Sequence, residues 1–132
     1  MKKYRILLFT AYIFVVIWLT LLGNREFGER RAVLIPFWEM ANIIKGKERS
    51  FYICQVTGNL ALLMPFGFML PMFRDVNWKK VLLMSFCFSV GIELTQFITG
   101  LGLMEFDDVF NNTVGGLIGY MIYKAFRKKF SD

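Results

Sequence analysis

The residues of this chain best equipped for chemistry lie between Ser89 and Gly119, in the stretch SVGIELTQFITGLGLMEFDDVFNNTVGGLIG. Glu93 and Gln96 sit inside one apolar run, and Asp107, Asp108, Asn111 and Asn112 open the next. A carboxylate in apolar surroundings is costly unless it is paired, hydrated or protonated, so these positions need a physical reason. A carboxylate of tuned pKa beside an amide network can act as a general acid or base. Paired carboxylates with asparagine are also plausible ligands for a hard cation. The chain has no histidine, which removes the commonest general base and the commonest zinc ligand.

Helical spacing gathers these groups on shared faces. Glu93 and Gln96 are three apart, Asp108, Asn111 and Asn112 cluster likewise, and upstream Gln55 and Asn59 are four apart. Gly115 and Gly119 continue the Asn111 face, where small residues admit a neighbouring helix; the polar face of that helix is therefore its packing face. At a rise of ~1.5 Å per residue, Gln55, Asn59, Glu93, Gln96, Asn111 and Asn112 all fall about 6–12 Å inside the same membrane boundary. Interhelical hydrogen bonding alone accounts for Gln55, but it does not require Glu93 and both aspartates. One of Asp107 and Asp108 is expected to act mainly as a cap at a helix N-terminus.

The elements that position these groups follow from composition. Of 132 residues, 56% are hydrophobic and only 20% charged, which excludes a soluble catalytic domain beside the apolar runs and predicts an all-α integral membrane protein. Four transmembrane helices are expected over about 6–22, 51–73, 81–100 and 107–126, forming a single membrane domain over 1–132. The first follows a short basic leader and lacks a small-x-small cleavage site, so it reads as an uncleaved span. Ala32–Ile44, broken by Glu39 and Asn42, is too short to cross and predicts an interfacial or re-entrant helix in the first outer loop. Pro65 predicts a kink in the second span. Cys54 and Cys87 are expected as small buried hydrophobes at different depths, without a disulfide, and Trp18, Trp38 and Trp78 as interface anchors.

The net charge of +6 gathers at the ends of the apolar runs, the pattern of membrane topology and not of nucleic-acid binding. With the N-terminus inside, the cytoplasmic segments carry three, three and four Lys or Arg, and the short third loop none. Both termini are therefore expected in the cytoplasm, against the discordant six basic residues of the first outer loop. This orientation puts the polar groups in the outer half of the bilayer. Arg residues of that outer loop are candidate counter-charges for Glu93, and the amides of Asn59, Gln96, Asn111 and Asn112 are candidate hydrogen-bond donors to it.

The motifs and their order resemble the VanZ-like family of small bacterial membrane proteins. The matching pieces are Leu34-Ile35-Pro36-Phe37, Gly58-Asn59-Leu60, Met64-Pro65-Phe66-Gly67-Phe68-Met69-Leu70-Pro71, Ser89, Ile92-Glu93, Gln96, Asp107-Asp108-Val109, Asn112-Thr113 and Gly115-Gly116 through Gly119-Tyr120. The resemblance spans residues 34 to 120. It implies a multi-pass protein of the bacterial cytoplasmic membrane and, for some members, reduced susceptibility to teicoplanin-type glycopeptide antibiotics. It implies no settled reaction. The shared positions map onto Pro36, Asn59, Pro65, Gly67, Glu93, Gln96, Asp107, Asp108, Asn112 and Gly115. A basic residue often precedes the aspartate pair in such proteins; here Met104, Glu105 and Phe106 stand there, so no carboxylate–arginine pair is expected at that point.

Two functions fit. In the first, a non-enzymatic envelope protein uses an outer-leaflet polar pocket, built on Asn59, Gln96, Asn111 and Asn112, to bind an envelope lipid or lipid-linked precursor, a glycopeptide antibiotic or a membrane partner; no metal or cofactor is expected. In the second, an intramembrane enzyme acts on a polyprenyl- or glycerol-linked envelope lipid, with Glu93 and Asp107 or Asp108 as acid, base or metal ligands. Four spans without a repeat are few for a transporter. The glycine-rich fourth helix suits a homodimer as well as internal packing.

Overall fold

A computed structural model of the chain describes residues 2–23 and 27–129. Asn24, Arg25 and Glu26, the start of the first polar loop, lie outside the described residues, so the counter-charge expected from Arg25 is not among them. Five α-helices carry the fold. The first, α1 (Lys2–Ile17), runs on as a π-helical turn over Trp18–Leu22. A short strand β1 (Arg31–Val33) and a two-turn helix α2 (Trp38–Ile44) follow. Then come α3 (Arg49–Met69), which tightens into a 3₁₀ turn at Leu70–Met72, α4 (Trp78–Thr99), strand β2 (Leu103–Glu105) and α5 (Phe106–Lys129).

The boundaries have local causes. Asn77 caps α4, its side chain accepting the Lys80 N–H at 3.0 Å. Gly100 ends α4 in the left-handed region (φ 68°), a conformation glycine adopts without a Cβ clash. Pro65 lies within α3, and Pro71 marks the tightened turn where that helix stops.

Three helices are long and apolar enough to cross a membrane: Lys3–Leu22, Arg49–Met72 and Trp78–Thr99. Their large apolar side chains are widely exposed, among them Leu7, Phe14, Ile53, Leu83 and Ile98, as expected where lipid is the solvent. The ends agree with the sequence reading to within a few residues. The 24-residue α5 is as long as the others but richer in polar residues and glycine. It packs most extensively on α3, then on α4, so it needs less apolar surface than its neighbours. Phe66, Leu63, Leu70 and Val81 form the buried apolar core, with Phe9, Tyr12, Ile13, Phe88 and Tyr120 against it.

Two expectations are corrected. The short helix expected in the 32–44 island is present but covers only Trp38–Ile44, the first part of the island forming strand β1. β1 pairs in parallel with β2, Ala32 opposite Met104 and Val33 opposite Glu105, so backbone groups of two loops satisfy each other at one end of the bundle. Cys54 and Cys87 are free, as expected, but both are exposed instead of buried.

Glycines set the spacing of α5. A Cβ on Gly115 would collide with the Leu60 carbonyl, one on Gly119 with that of Met64, and one on Gly67 with that of Gly116. The obstacles are backbone, so the helices must part. Gly91, also helical, has open space around its missing Cβ. Gly115→Ala and Gly67→Ala should each destabilise the folded chain by about 1–3 kcal/mol or more, while Gly91→Ala should be neutral or slightly stabilising. Thermal unfolding in detergent micelles checks this; an equal effect at all three positions would refute backbone contact as the cause.

Candidate functional site

At the end of the bundle that holds the small sheet, five segments deliver polar side chains to one place. α2 brings Glu39, α3 brings Gln55 and Asn59, α4 brings Glu93 and Gln96, β2 brings Glu105, and α5 brings Asp107, Asp108, Asn111 and Asn112. Six of these are buried: Glu39, Glu93, Gln96, Glu105, Asp107 and Asn112.

The helix α2 has no side-chain cap of its own. Asp107 supplies one from α5: its two carboxylate oxygens accept the backbone N–H groups of Phe37 (2.6 Å) and Glu39 (2.8 Å). The sequence foresaw a capping aspartate, but on its own helix; the residue instead caps a helix almost seventy positions away, because α2 docks on the start of α5. Hydrogen bonds to a charged acceptor contribute roughly 1.5–3 kcal/mol each.

With α2 packed on α3 and tied to α5 by these bonds, three carboxylates meet. One oxygen from each of Glu39, Glu105 and Asp108 lies within 4.8 Å of the others. Each carboxylate is gripped by a primary amide: Asn111 donates to Glu39 Oε2 (2.9 Å), Gln55 to Glu105 Oε2 (2.5 Å), and Asn59 to Asp108 Oδ1 (2.5 Å). Charges at this spacing repel by about 3 kcal/mol per pair at an effective dielectric constant near 20. Burial, reinforced by the charges of Asp108, Glu105 and Asp107, pushes Glu39 up to about 8, with the Asn111 hydrogen bond opposing. Glu105 is also raised, by burial first, against its bond from Gln55.

Two of the three, Glu105 and Asp108, border an open cleft of about 640 Å³, also lined by Trp38, Phe51, Tyr52, Gln55, Asn59 and Gln96 among others, with Glu39 buried behind them. Its walls are aromatic and aliphatic and its polar part is acidic and amide-rich; among the described residues no Lys or Arg borders it.

The other expected residues are placed as follows. Glu93 Oε2 accepts the backbone N–H of Glu105 (3.0 Å), fixing β2, a partner that the reading through amides or arginines had not named. Gln96 donates to the Thr20 carbonyl (2.8 Å) and ties the end of α1 to α4. Asn112 donates to Ser89 Oγ (2.9 Å) between α4 and α5. Pro36 lies in the exposed turn before α2 and Pro65 on the exposed side of α3, while Gly67 and Gly115 mediate helix packing; none of the four borders the cleft. Two members were missed as site residues. Glu39 was read only as an interruption of the 32–44 island and Glu105 only as part of a connector. The signal was available: Glu39 is a carboxylate inside an apolar run, the criterion that singled out Glu93.

The comparisons with known proteins fit this picture. The VanZ/LLP1 family profile matches residues 9–127. The chain belongs to this family. It is 30% identical over 128 residues to Protein VanZ of Enterococcus faecium, a match covering 88% of this chain and 71% of that protein. No solved structure matches. Of the VanZ-like motif residues, Asp107 caps α2, Gly67 and Gly115 set the helix spacing, Glu93 and Asn112 tie elements together, and Asn59, Gln96 and Asp108 line the cleft.

A pH dependence follows from Glu39. Between its ordinary value of 4.5 and about 8, the folded chain keeps a proton that the unfolded chain has lost. Stability must therefore fall as pH rises through this window and level off above it. In chelator-containing buffer, Glu39→Gln should flatten that fall in the thermal midpoint; a slope unchanged by the substitution would show that Glu39 ionises normally.

Proposed function

We propose that this VanZ-like protein is a four-span component of the bacterial cytoplasmic membrane, with α5 as the fourth crossing and both termini cytoplasmic. Its cleft then opens at the outer leaflet, receives the polar end of an envelope lipid or lipid-anchored glycopeptide, and so lowers susceptibility to teicoplanin-type antibiotics. The observation that carries this reading is the cleft itself: an open space lined by Trp38, Phe51 and Tyr52 together with the amides of Gln55, Asn59 and Gln96 and the carboxylates of Glu105 and Asp108. An amphiphile at a membrane boundary offers the complementary pair of surfaces. The acidic lining favours groups that donate hydrogen bonds, such as hydroxyl, amide and ammonium. Teicoplanin-type drugs carry acyl chains and act near lipid-linked wall precursors, which matches the location. Membership of the VanZ/LLP1 family supports the same role.

The enzymatic alternative takes a changed form. Asp107 has both oxygens engaged by α2, and Glu93 holds β2. An intramembrane enzyme on this scaffold would use Glu39, Glu105 and Asp108, which crowd together beside the cleft, and would alter the envelope lipid profile of an expressing strain.

Expression in a susceptible host should raise the inhibitory concentration of teicoplanin several-fold. Asp108→Asn and Asn59→Ala, at membrane abundance equal to wild type, should abolish the rise, while Gly91→Ala should keep it. Full protection by both cleft variants would exclude the cleft from the function.

A further inference from the structure

Beyond a pocket for a ligand's polar end, the acids beside the cleft have the makings of a second kind of site. Glu39, Glu105 and Asp108 come from α2, β2 and α5, and each presents an oxygen within 4.8 Å of the other two. Chance clusters of acids occur on solvated surfaces, where water screens them. Here Glu39 is only 1% exposed and Glu105 7%. Amides orient all three: Asn111 on Glu39, Gln55 on Glu105, and Asn59, with a longer bond from Gln55, on Asp108. Hydrogen bonds that fix the ligating groups are what metal sites use to hold their geometry.

A separate observation points to a bound positive species. Two buried acceptors here have no hydrogen-bond donor: Glu39 Oε1, and Oε1 of Gln96, which is 4% exposed and borders the same cleft as Glu105 and Asp108. The Gln96 assignment is fixed, because its Nε2 donates to the Thr20 carbonyl. A cation would complete such open lone pairs, and among the described residues no Lys or Arg borders the cleft to provide one.

We propose that Glu39, Glu105 and Asp108 form a site for a hard divalent cation of the calcium type. All the donor atoms are oxygen, as such ions require. Calcium–oxygen bonds of roughly 2.4 Å put opposite ligands about 4.8 Å apart, which accommodates the whole group; magnesium, at about 2.1 Å, needs it to contract. The absence of histidine from the chain disfavours zinc. The site shares the cleft of the proposed function, but its test uses neither lipid nor antibiotic, so either reading can fail alone.

The full chain, purified in detergent and freed of metal, is titrated with terbium, a luminescent calcium surrogate. Trp38 and Tyr52 border the cleft and should sensitise its emission. The expected result is a saturable signal displaced by calcium and, less effectively, by magnesium. Glu105→Gln and Asp108→Asn should lose it, and Asp75→Asn, an exposed acid outside the cleft, should keep it. Calcium should also raise the thermal midpoint of wild type. In metal-free buffer Asp108→Asn should be at least as stable as wild type, since it removes repulsion, whereas an acid with a purely structural role would destabilise on replacement. A signal that survives either cleft substitution, or that neither calcium nor magnesium displaces, overturns the site. So does a wild-type midpoint unmoved by both ions, which decides the matter even if the variants do not fold.

Discussion

The carboxylate of Asp107, at the start of α5, holds the first N–H groups of α2, and the polar end of the bundle is arranged around that grip. A two-turn helix is too short to persist alone; α2 needs a partner for its N-terminus, and the partner lies in another segment. Once α2 is docked, Glu39 is carried in beside Glu105 and Asp108. Glu93 acts in parallel by holding the backbone N–H of Glu105, and the β1–β2 ladder closes the loops over the bundle end. Two of the residues that drew attention as catalytic candidates are thus the braces of the cleft, and they position the acids beside it.

The same division of labour explains why α5 is so polar. It packs along α3 and also against α4, so the face that carries its polar residues and glycines answers to protein rather than to lipid. Gly115, Gly116 and Gly119 are buried and bring its backbone against that of α3 and against Ser85 of α4. Close approach is what lets the short amides of Asn59 and Asn112 reach their partners on neighbouring helices. A bundle spaced by bulky side chains would leave those amides unpaired in apolar surroundings, each at a cost of roughly 1–3 kcal/mol.

Much of this could be read from the sequence, because it follows from periodicity. The long helices, and the convergence of Gln55, Asn59, Gln96, Asp108 and Asn111 at one end, come from apolar run lengths and from spacings of three and four. What could not be read depends on contacts between distant segments. No pattern marks Arg31–Val33 and Leu103–Glu105 as strands; three-residue strands carry no usable alternation, and their pairing spans some seventy positions. Asp107 looks like an ordinary cap from its own neighbours, since only the fold reveals whose N-terminus it serves. Glu39 was hidden by the island around it, where it counted only as a break in an interfacial or re-entrant helix. Cys54 and Cys87 were misplaced for a simpler reason: in lipid, an apolar residue has no need to face the core.

The most direct test of this arrangement is a cross-link between α2 and α5 in native membranes. With Cys54 and Cys87 replaced by alanine, the pair Glu39→Cys and Asp108→Cys is treated with a short bifunctional thiol reagent, and linked chains are resolved by electrophoresis after cleavage at a protease site introduced into the Arg74–Asn77 turn. Rapid intramolecular linkage is expected because both side chains reach the same acidic centre. Failure to link, in a chain whose two thiols are shown to be reactive one at a time, would contradict the docking of α2 on α5 and with it the cleft.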